Sequence, residues 1–213
     1  MTQLPSKWLL LVLLTVSFIT GGEKCAVAIE EAPYTVIEQN GDFELRQYSP
    51  RIVAETTVEG AFDQVGSEGF RRLAAYINGE NHTKRSIAMT APVSQEAQSE
   101  KIAMTAPVGQ EKSGDRWRIT FVMPSKYALD TLPEPIDSRI EIKPEPGRLM
   151  AAVRYSGTWS RKGYEENKER LLAWIEERGF KQTGDPVWAR YNPPFMPWFL
   201  RRNEILIPVD PHN

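Results

Sequence analysis

Cysteine and histidine are both scarce in this sequence. Its 213 residues include one cysteine, Cys25, and two histidines, His82 and His212. One cysteine cannot build an internal disulfide framework. Two histidines cannot by themselves supply the four ligands of a structural zinc site. The sequence therefore excludes a disulfide scaffold and gives no support to a zinc-stabilised fold.

An excess of charge of either sign is also missing. Lys and Arg total 26 against 28 Asp and Glu, which gives a formal net charge of -2. The basic pairs at 71–72, 84–85 and 201–202 are short and scattered, so no nucleic-acid partner is predicted. With 41% hydrophobic and 25% charged residues, the composition is that of a soluble globular domain.

Motifs of common enzyme classes are absent as well. The sequence has no G-x-S-x-G nucleophile elbow, no H-E-x-x-H zinc motif and no phosphate-binding glycine loop. We therefore predict a binding protein rather than an enzyme. One catalytic alternative stays open, in which a buried glutamate pairs with Tyr155 or Tyr191 to form the centre of a small hydrolase.

The N-terminal apolar run is too short to cross a bilayer. It follows Lys7 and covers residues 8–20, which as a helix reach about 20 Å across a hydrocarbon core of roughly 30 Å. Ala26-Val27-Ala28 then offers the small side chains that signal peptidase accepts. We predict a signal peptide at residues 1–28, with an uncleaved membrane anchor as the alternative. Cleavage would leave residues 29–213, exported to a periplasm, a thylakoid lumen or the extracellular space, without stable membrane insertion.

Helix and strand patterns occur in an order that is repeated once. Apolar residues at helical spacing predict helices over 61–77 and 164–178, and Asn78-Gly79 and Gly179 mark their ends. Alternating patterns predict strands around each helix. These strands are 34–37, 43–48, 52–58, 87–93, 102–108, 117–123, 139–142, 149–155, 186–191 and 204–209. No Gly/Ser-rich linker separates the halves, so residues 29–213 are predicted to form one α+β domain with pseudo-twofold related halves on a shared antiparallel sheet.

A ten-residue segment occurs twice with one difference. Residues 87–96 and 102–111 share every residue except Ser94 and Gly109. Pro92 and Pro107 lack the N–H that a central strand needs, so at least one copy should border a loop or lie at a sheet edge. The copies are interpreted as a duplicated hairpin arm, or as walls of an adaptable apolar cavity lined by methionine and alanine.

Four segments are similar to those of a known family. They are KIAMTAPV at 101–108, FVMPSKY at 121–127, ARYNPP at 189–194 and FLRRNE at 199–204. In this order they closely resemble the SOUL haem-binding protein family over essentially the whole of residues 29–213. The resemblance implies a distorted antiparallel β-barrel of two β-α-β-β halves. It also implies reversible, non-covalent binding of haem or another tetrapyrrole by a carrier, buffer or scavenger, with a small-molecule effector-binding domain as the alternative.

The resemblance points to the first predicted helix as the tetrapyrrole surface. Gly66 and Gly69 lie on its apolar face, although each lowers helix propensity by roughly 1 kcal/mol relative to alanine. Two interpretations stay open: close packing against the sheet, or a shallow groove for a flat ligand whose propionates pair with an arginine. The candidate binding residues are Phe62, Gly66, Gly69, Phe70, Arg71, Arg72, Leu73, His82 and Met104.

Coordination of haem iron would need an imidazole, thiolate or thioether near this surface. His82 is the candidate axial ligand and metal-binding residue because it is the only central histidine. Met89 and Met104 are alternatives. Without any of them, binding would depend on burial and propionate contacts and would be easily reversed.

The segment 192–200 is rich in proline and aromatic residues. Proline restricts φ and has no N–H donor, so we predict a non-helical crossover that Phe195, Trp198 and Phe199 pin onto the barrel. A partner-binding surface is the alternative. The domain is predicted to be a monomer.

Overall fold

The computed structural model describes residues 29–83 and 98–211. These ranges form fourteen strands, two α-helices and one short 3₁₀-helix. In chain order they are β1 (Glu30–Glu31), β2 (Tyr34–Asn40), β3 (Phe43–Tyr48), β4 (Arg51–Val58), α1 (Phe62–Ile77), β5 (Asn81–His82), β6 (Thr105–Ala106), β7 (Val108–Ser113), β8 (Arg116–Val122), β9 (Glu134–Pro135), β10 (Ile140–Glu145), β11 (Leu149–Tyr155), α2 (Arg161–Glu177), β12 (Phe180–Gln182), β13 (Val187–Arg190), the 3₁₀-helix (Trp198–Leu200) and β14 (Asn203–Pro211). The predicted signal peptide, the first repeat copy with Met89, and His212 lie outside the described residues.

One antiparallel sheet contains most of the strands. Its order is β10-β4-β8-β7-β13-β14-β11-β3-β2, and β12 pairs with the end of β14. Outward from the central pair of β7 and β13, the strands β8, β4 and β10 correspond to β14, β11 and β3. In each half, a helix lies in the chain between the second strand of this series and the central strand. These helices are α1, between β4 and β7, and α2, between β11 and β13. The order confirms the predicted pseudo-twofold α+β domain. In the described chain β10 and β2 are edge strands, so the sheet is an open, distorted barrel.

Local signals explain where the helices end and why one begins early. α1 ends at Ile77, and Gly179 follows α2 with a φ of +69°. α2 begins at Arg161, earlier than predicted, because the Ser160 hydroxyl accepts a hydrogen bond from the Gly163 N–H and caps the first turn. That turn is polar, so apolar periodicity places the start too late.

The second repeat copy forms two strands and not the single strand predicted over 102–108. Pro107 separates β6, which pairs in parallel with β1, from β7 in the central sheet. A proline cannot donate to a strand ladder, so Pro107 lies at a strand border, as predicted for at least one copy.

The helices cover one face of the sheet. Along β14, Ile205 and Ile207 pack in the cluster beneath α2, whereas Leu206 packs on the opposite face. Beneath α1 a second cluster includes Leu73 and Ile119, both fully buried. Each such side chain contributes roughly 1.5–3 kcal/mol on burial. No helix in the described part of the chain is long and apolar enough to span a membrane.

Candidate ligand-binding groove

A groove of about 480 Å³ lies beside the middle of α1. Its other walls come from the segments 104–108 and 190–195, with Trp159 and Ile29. The volume falls within the roughly 300–1,000 Å³ of small-molecule sites. Most lining side chains are apolar, which suits a flat hydrophobic ligand. We call this the α1 groove.

Four of the predicted binding residues line the α1 groove: Gly66, Phe70, Arg71 and Met104. Phe70 is partly buried and its ring lies 5.4 Å from that of Phe121. Arg71 is exposed and pairs with no carboxylate in the described chain. The helix surface and the second repeat copy therefore meet in one groove.

Phe62 and Leu73 lie in the core and do not line the groove. The Phe62 ring stacks on Trp188 with 4.8 Å between the centroids and lies 5.2 Å from the ring of Tyr164. Leu73 is fully buried in the cluster under α1. Helical periodicity cannot separate these residues from Phe70, because all three belong to the apolar side of the helix.

The two glycines of α1 admit different neighbours. A Cβ at Gly69 would lie 2.4 Å from Cγ1 and 2.7 Å from Cβ of Ile119, so close packing against β8 explains this glycine. A Cβ at Gly66 would lie 2.6 Å from the Gln110 side-chain oxygen and 2.7 Å from a guanidinium nitrogen of Arg190. Gly66 therefore makes room for a polar pair from β7 and β13, and it also lines the groove.

Arg72 points away from the groove. Its guanidinium donates to Thr56 Oγ1 at 2.6 Å and to the Thr57 carbonyl at 3.2 Å, and it pairs with Glu68 at 2.9 Å. These bonds hold the Arg72 side chain on β4, outside the lining of the groove. Of the two neighbouring arginines, Arg71 lines the groove.

Met104, which was predicted as an alternative axial ligand to His82, lines the groove. Its side chain is 38% exposed, and a thioether is a known haem ligand. His82 is exposed in β5, opposite Glu134 of β9, and does not line the groove. Within residues 29–83 and 98–211, no three His, Cys, Asp or Glu side chains cluster where they could hold a metal ion. Among the described residues, the groove thus offers haem iron a sulfur atom and no imidazole.

Arg190 is one of the groove residues that are not among the predicted binding residues. Its guanidinium carbon lies 4.0 Å from the ring centroid of Trp188 and 5.2 Å from that of Trp159. It donates to the Gln110 side-chain oxygen at 2.6 Å. Its buried Nε has no hydrogen-bond partner, and no carboxylate in the described chain pairs with it. Burial lowers the pKa of Arg190 to about 10, so the side chain still carries its charge at neutral pH.

Arg190 is half-buried, and the Asp63 carboxylate raises its pKa without forming an ion pair with it. A cation in this position is costly, because it has lost part of its water without gaining a contacting counter-ion. An anionic ligand group that entered the groove would supply that counter-ion. A sequence signal for Arg190 did exist: it stands two positions from Trp188 in β13, so both side chains share the face of the strand that turns toward α1.

The aromatic side chains of the 192–200 segment do not pin it to the barrel, and that prediction was wrong. Phe195 is 85% exposed, and Trp198 and Phe199 are each 58% exposed. Arg201 holds the segment instead. Its guanidinium donates to the carbonyl groups of Pro194 at 2.7 Å and Met196 at 2.8 Å, which leaves the aromatic rings facing outward.

Glu204 and Tyr191 form the kind of pair that the hydrolase alternative requires. The Tyr191 hydroxyl donates to Glu204 Oε2 at 2.8 Å, and Glu204 is fully buried. Arg46 donates to both carboxylate oxygens at 2.6 and 3.1 Å, and Arg202 donates at 2.9 Å. Burial alone would raise the pKa of Glu204, but hydrogen bonds and charges from Arg46 and Arg202 hold that pKa below its usual value. A compensated carboxylate with occupied oxygens and a low pKa is a poor general base.

Comparison with known proteins agrees with this architecture. The family model described as SOUL heme-binding protein matches residues 29–208. The chain belongs to this family. Human heme-binding protein 2 is 27% identical over 184 residues, covering 82% of this chain and 85% of that protein. Heme-binding protein 1 of Xenopus laevis is 26% identical over 188 residues, covering 88% and 86%. The predicted family resemblance is confirmed.

Two solved structures with much lower sequence identity share the fold of this chain. The C-terminal domain of EcmrR superposes with a TM-score of 0.52 at 11% identity, covering 84% of this chain and 98% of that domain. A hydrolase from Listeria innocua gives a TM-score of 0.53 at 13% identity, covering 82% and 94%. At such identities the likeness extends to the fold alone.

Proposed function

We propose that the chain binds haem or a related tetrapyrrole non-covalently and reversibly in the α1 groove, as a carrier, buffer or scavenger. Membership of the SOUL heme-binding protein family supports this proposal, as do the relatives named heme-binding protein 1 and 2. The apolar walls beside α1 suit a macrocycle. We infer a binding role and not catalysis, since Glu204 is already compensated by two arginines.

The proposal rests mainly on Arg190, which lines an apolar groove, has an Nε without a hydrogen-bond partner and forms no ion pair within the described chain. A tetrapyrrole combines a flat apolar ring with carboxylate groups, so one ligand matches both features. Its carboxylate would form charge-assisted hydrogen bonds with Arg190, which are roughly twice as strong as neutral ones. Exposed Arg71, at the same groove, can pair with a second carboxylate.

Iron in a bound haem would add a coordination bond, for which Met104 supplies a thioether. Burial of the ring and the contacts with Arg190 and Arg71 need no metal. We therefore expect metal-free porphyrin to bind as well, with part of the affinity of haem.

Titration with haemin, followed at the Soret band, tests the proposal. Wild-type protein should give a saturable change. Arg190→Gln should weaken binding by roughly 30-fold or more, because removing one partner of a buried charge pair costs at least about 2 kcal/mol. Arg154→Gln is the matched control, since Arg154 is exposed and does not line the groove. Absence of saturable binding would refute the proposal.

A change in the ligand separates charge recognition from damage to the fold. Haemin dimethyl ester lacks the free carboxylates, so wild-type protein should bind it more weakly than haemin. Arg190→Gln should prefer haemin over the ester by a smaller factor than the wild type does, because only Arg71 is left in the groove to pair with a carboxylate. An equal preference for haemin in both proteins would contradict the role of Arg190.

We also propose that the protein is exported and that its mature chain begins at Ile29. The support is the signal-like pattern of residues 1–28. Ile29 lines the groove and β1 follows it, pairing with β6, so cleavage after Ala28 leaves the groove complete. N-terminal sequencing of the protein from its native source should begin at Ile29, and an intact Met1 would contradict export by this route.

A further inference from the structure

We propose that residues 193–200, here called the aromatic loop, dock on the surface of an anionic lipid bilayer. Four of its side chains are large, apolar and exposed: Phe195 by 85%, Leu200 by 60%, and Trp198 and Phe199 by 58% each. The rings of Trp198 and Phe199 meet edge to face, with 5.5 Å between centroids. A contiguous patch of this kind marks an interaction surface, and Trp, Phe and Leu are the residues that anchor peripheral proteins in the interface of a bilayer.

The backbone of the aromatic loop favours a lipid surface as the occupant. Three of its residues are prolines, which have no N–H to satisfy. The N–H groups of Met196 and Leu200 donate to the carbonyls of Pro193 and Pro197. The Arg201 guanidinium donates to the carbonyl groups of Pro194 and Met196. The Trp198 carbonyl accepts a hydrogen bond from the Gly157 N–H. Five of the eight carbonyl groups of the loop therefore have a donor within the described chain, which lowers the cost of entering a medium poor in hydrogen-bond partners.

Three amide groups of the loop, those of Phe195, Trp198 and Phe199, donate to no other described residue. They limit the depth of entry to the headgroup region, where phosphate oxygens and water can accept. The inferred contact is therefore shallow, which agrees with the lack of a membrane-spanning helix in the described chain.

Charge around the loop complements an anionic surface. Arg71 and Arg190 line the adjoining groove, and Arg201 closes the loop; no described carboxylate pairs with any of them. Elsewhere most arginines are neutralised, as Arg118 is by Glu111 and Glu55. Of the three arginines beside the loop, Arg71 is exposed, so it can meet an anionic lipid headgroup beside the aromatic side chains, and a basic residue near the surface contributes about 1 kcal/mol.

The loop also borders the mouth of the α1 groove, because three residues of the loop line the groove: Pro193, Pro194 and Phe195. Docking would bring that mouth to the lipid surface, where apolar ligands partition. This consequence rests on the proposed function, whereas docking itself depends only on the loop and its charges.

Co-sedimentation with vesicles of phosphatidylcholine, alone or mixed with phosphatidylserine, tests the inference without any tetrapyrrole. Wild-type protein should bind the vesicles that contain phosphatidylserine more tightly than those of phosphatidylcholine alone. Trp198→Ser with Phe199→Ser should weaken this binding at least about tenfold, since two large apolar side chains no longer partition. Ile37→Ser with Ile136→Ser is the control, because these residues are 58% and 56% exposed outside the loop; its binding should match the wild type.

Three results would overturn the inference. The first is that the wild type does not bind the vesicles, and the second is that the loop variant and the control variant bind them equally. The third is a dimer in size-exclusion chromatography that only the loop variant abolishes, because the loop would then be a surface for a second copy of the chain. Trp198 and Phe199 do not line the groove, so the loop variant should keep its affinity for haemin. Haemin titration of the same samples therefore separates failure of docking from failure of the proposed function.

Discussion

Replacing Gly69 by alanine should destabilise the domain, although alanine is the better helix former. The new Cβ would lie 2.4 Å from Cγ1 and 2.7 Å from Cβ of Ile119, which is fully buried and β-branched. Overpacking of this kind costs about 1–3 kcal/mol, whereas the change from glycine to alanine in a helix gains about 1 kcal/mol. Neither contact atom is the free end of a flexible side chain, so we expect a cost of about 2–3 kcal/mol, in the upper part of that range, and a net loss of about 1–2 kcal/mol.

Thermal unfolding followed by circular dichroism measures this loss. A change of 1 kcal/mol shifts Tm by about 2–4 °C in a domain of this size, so Tm should fall by roughly 2–8 °C. In an Ile119→Ala background the closest atom is gone, and Gly69→Ala should then cost less, as a double-mutant cycle would record. An unchanged or higher Tm for Gly69→Ala alone would refute close packing as the reason for this glycine.

Three further predictions concern the groove and the buried glutamate. Gly66→Ala should lower Tm less than Gly69→Ala, because the new Cβ at position 66 meets the ends of flexible side chains. The same variant should bind haemin more weakly, since the new Cβ displaces Arg190. Equal losses of Tm in the two variants would contradict this difference in packing. His82→Ala should leave the Soret spectrum of the haemin complex unchanged and Met104→Ala should shift it; the opposite pair of results would return the ligand role to the histidine. Glu204→Gln should be about 3–5 kcal/mol less stable at neutral pH, because Arg46 stays buried and loses its buried carboxylate partner. Since the folded pKa of Glu204 lies below its usual 4.5, its ionisation stabilises the fold above that pH, and the contribution is lost as pH falls through the folded value. The Tm of Glu204→Gln should therefore decline less on acidification than that of the wild type, and parallel declines would rule out this role.

Most of the fold could be predicted because its signals are local. The first two predicted strands, the apolar stripe of α1 and the stop at Gly179 each depend on neighbouring residues, and all appear where expected. The errors are local as well. Ser160 caps a polar first turn of α2 that apolar periodicity does not detect, and Pro107 divides one predicted strand into two.

The groove was only partly predictable. Helical spacing places Phe62, Gly69, Leu73 and Phe70 on the same side of α1, but the sheet decides which of them it covers. β8 reaches Gly69 through Ile119, and Phe62 stacks on Trp188 of β13. Phe70 remains at the groove. The role of a residue on one helix face thus depends on strands that come much later in the chain.

The sequence by itself determined the two-half α+β organisation, the family resemblance and the shortage of cysteine and histidine ligands, because these depend on composition and local patterns. Only the tertiary structure decided that Arg71 lines the groove while Arg72 is bound to β4, and that His82 lies elsewhere. It also decided the environment of Arg190. Pairing of β7 with β13 brings Arg190 beneath Gly66 and next to Gln110, where it forms no ion pair with any described carboxylate. The charge and burial of such a side chain are set by distant segments that meet only in the folded chain.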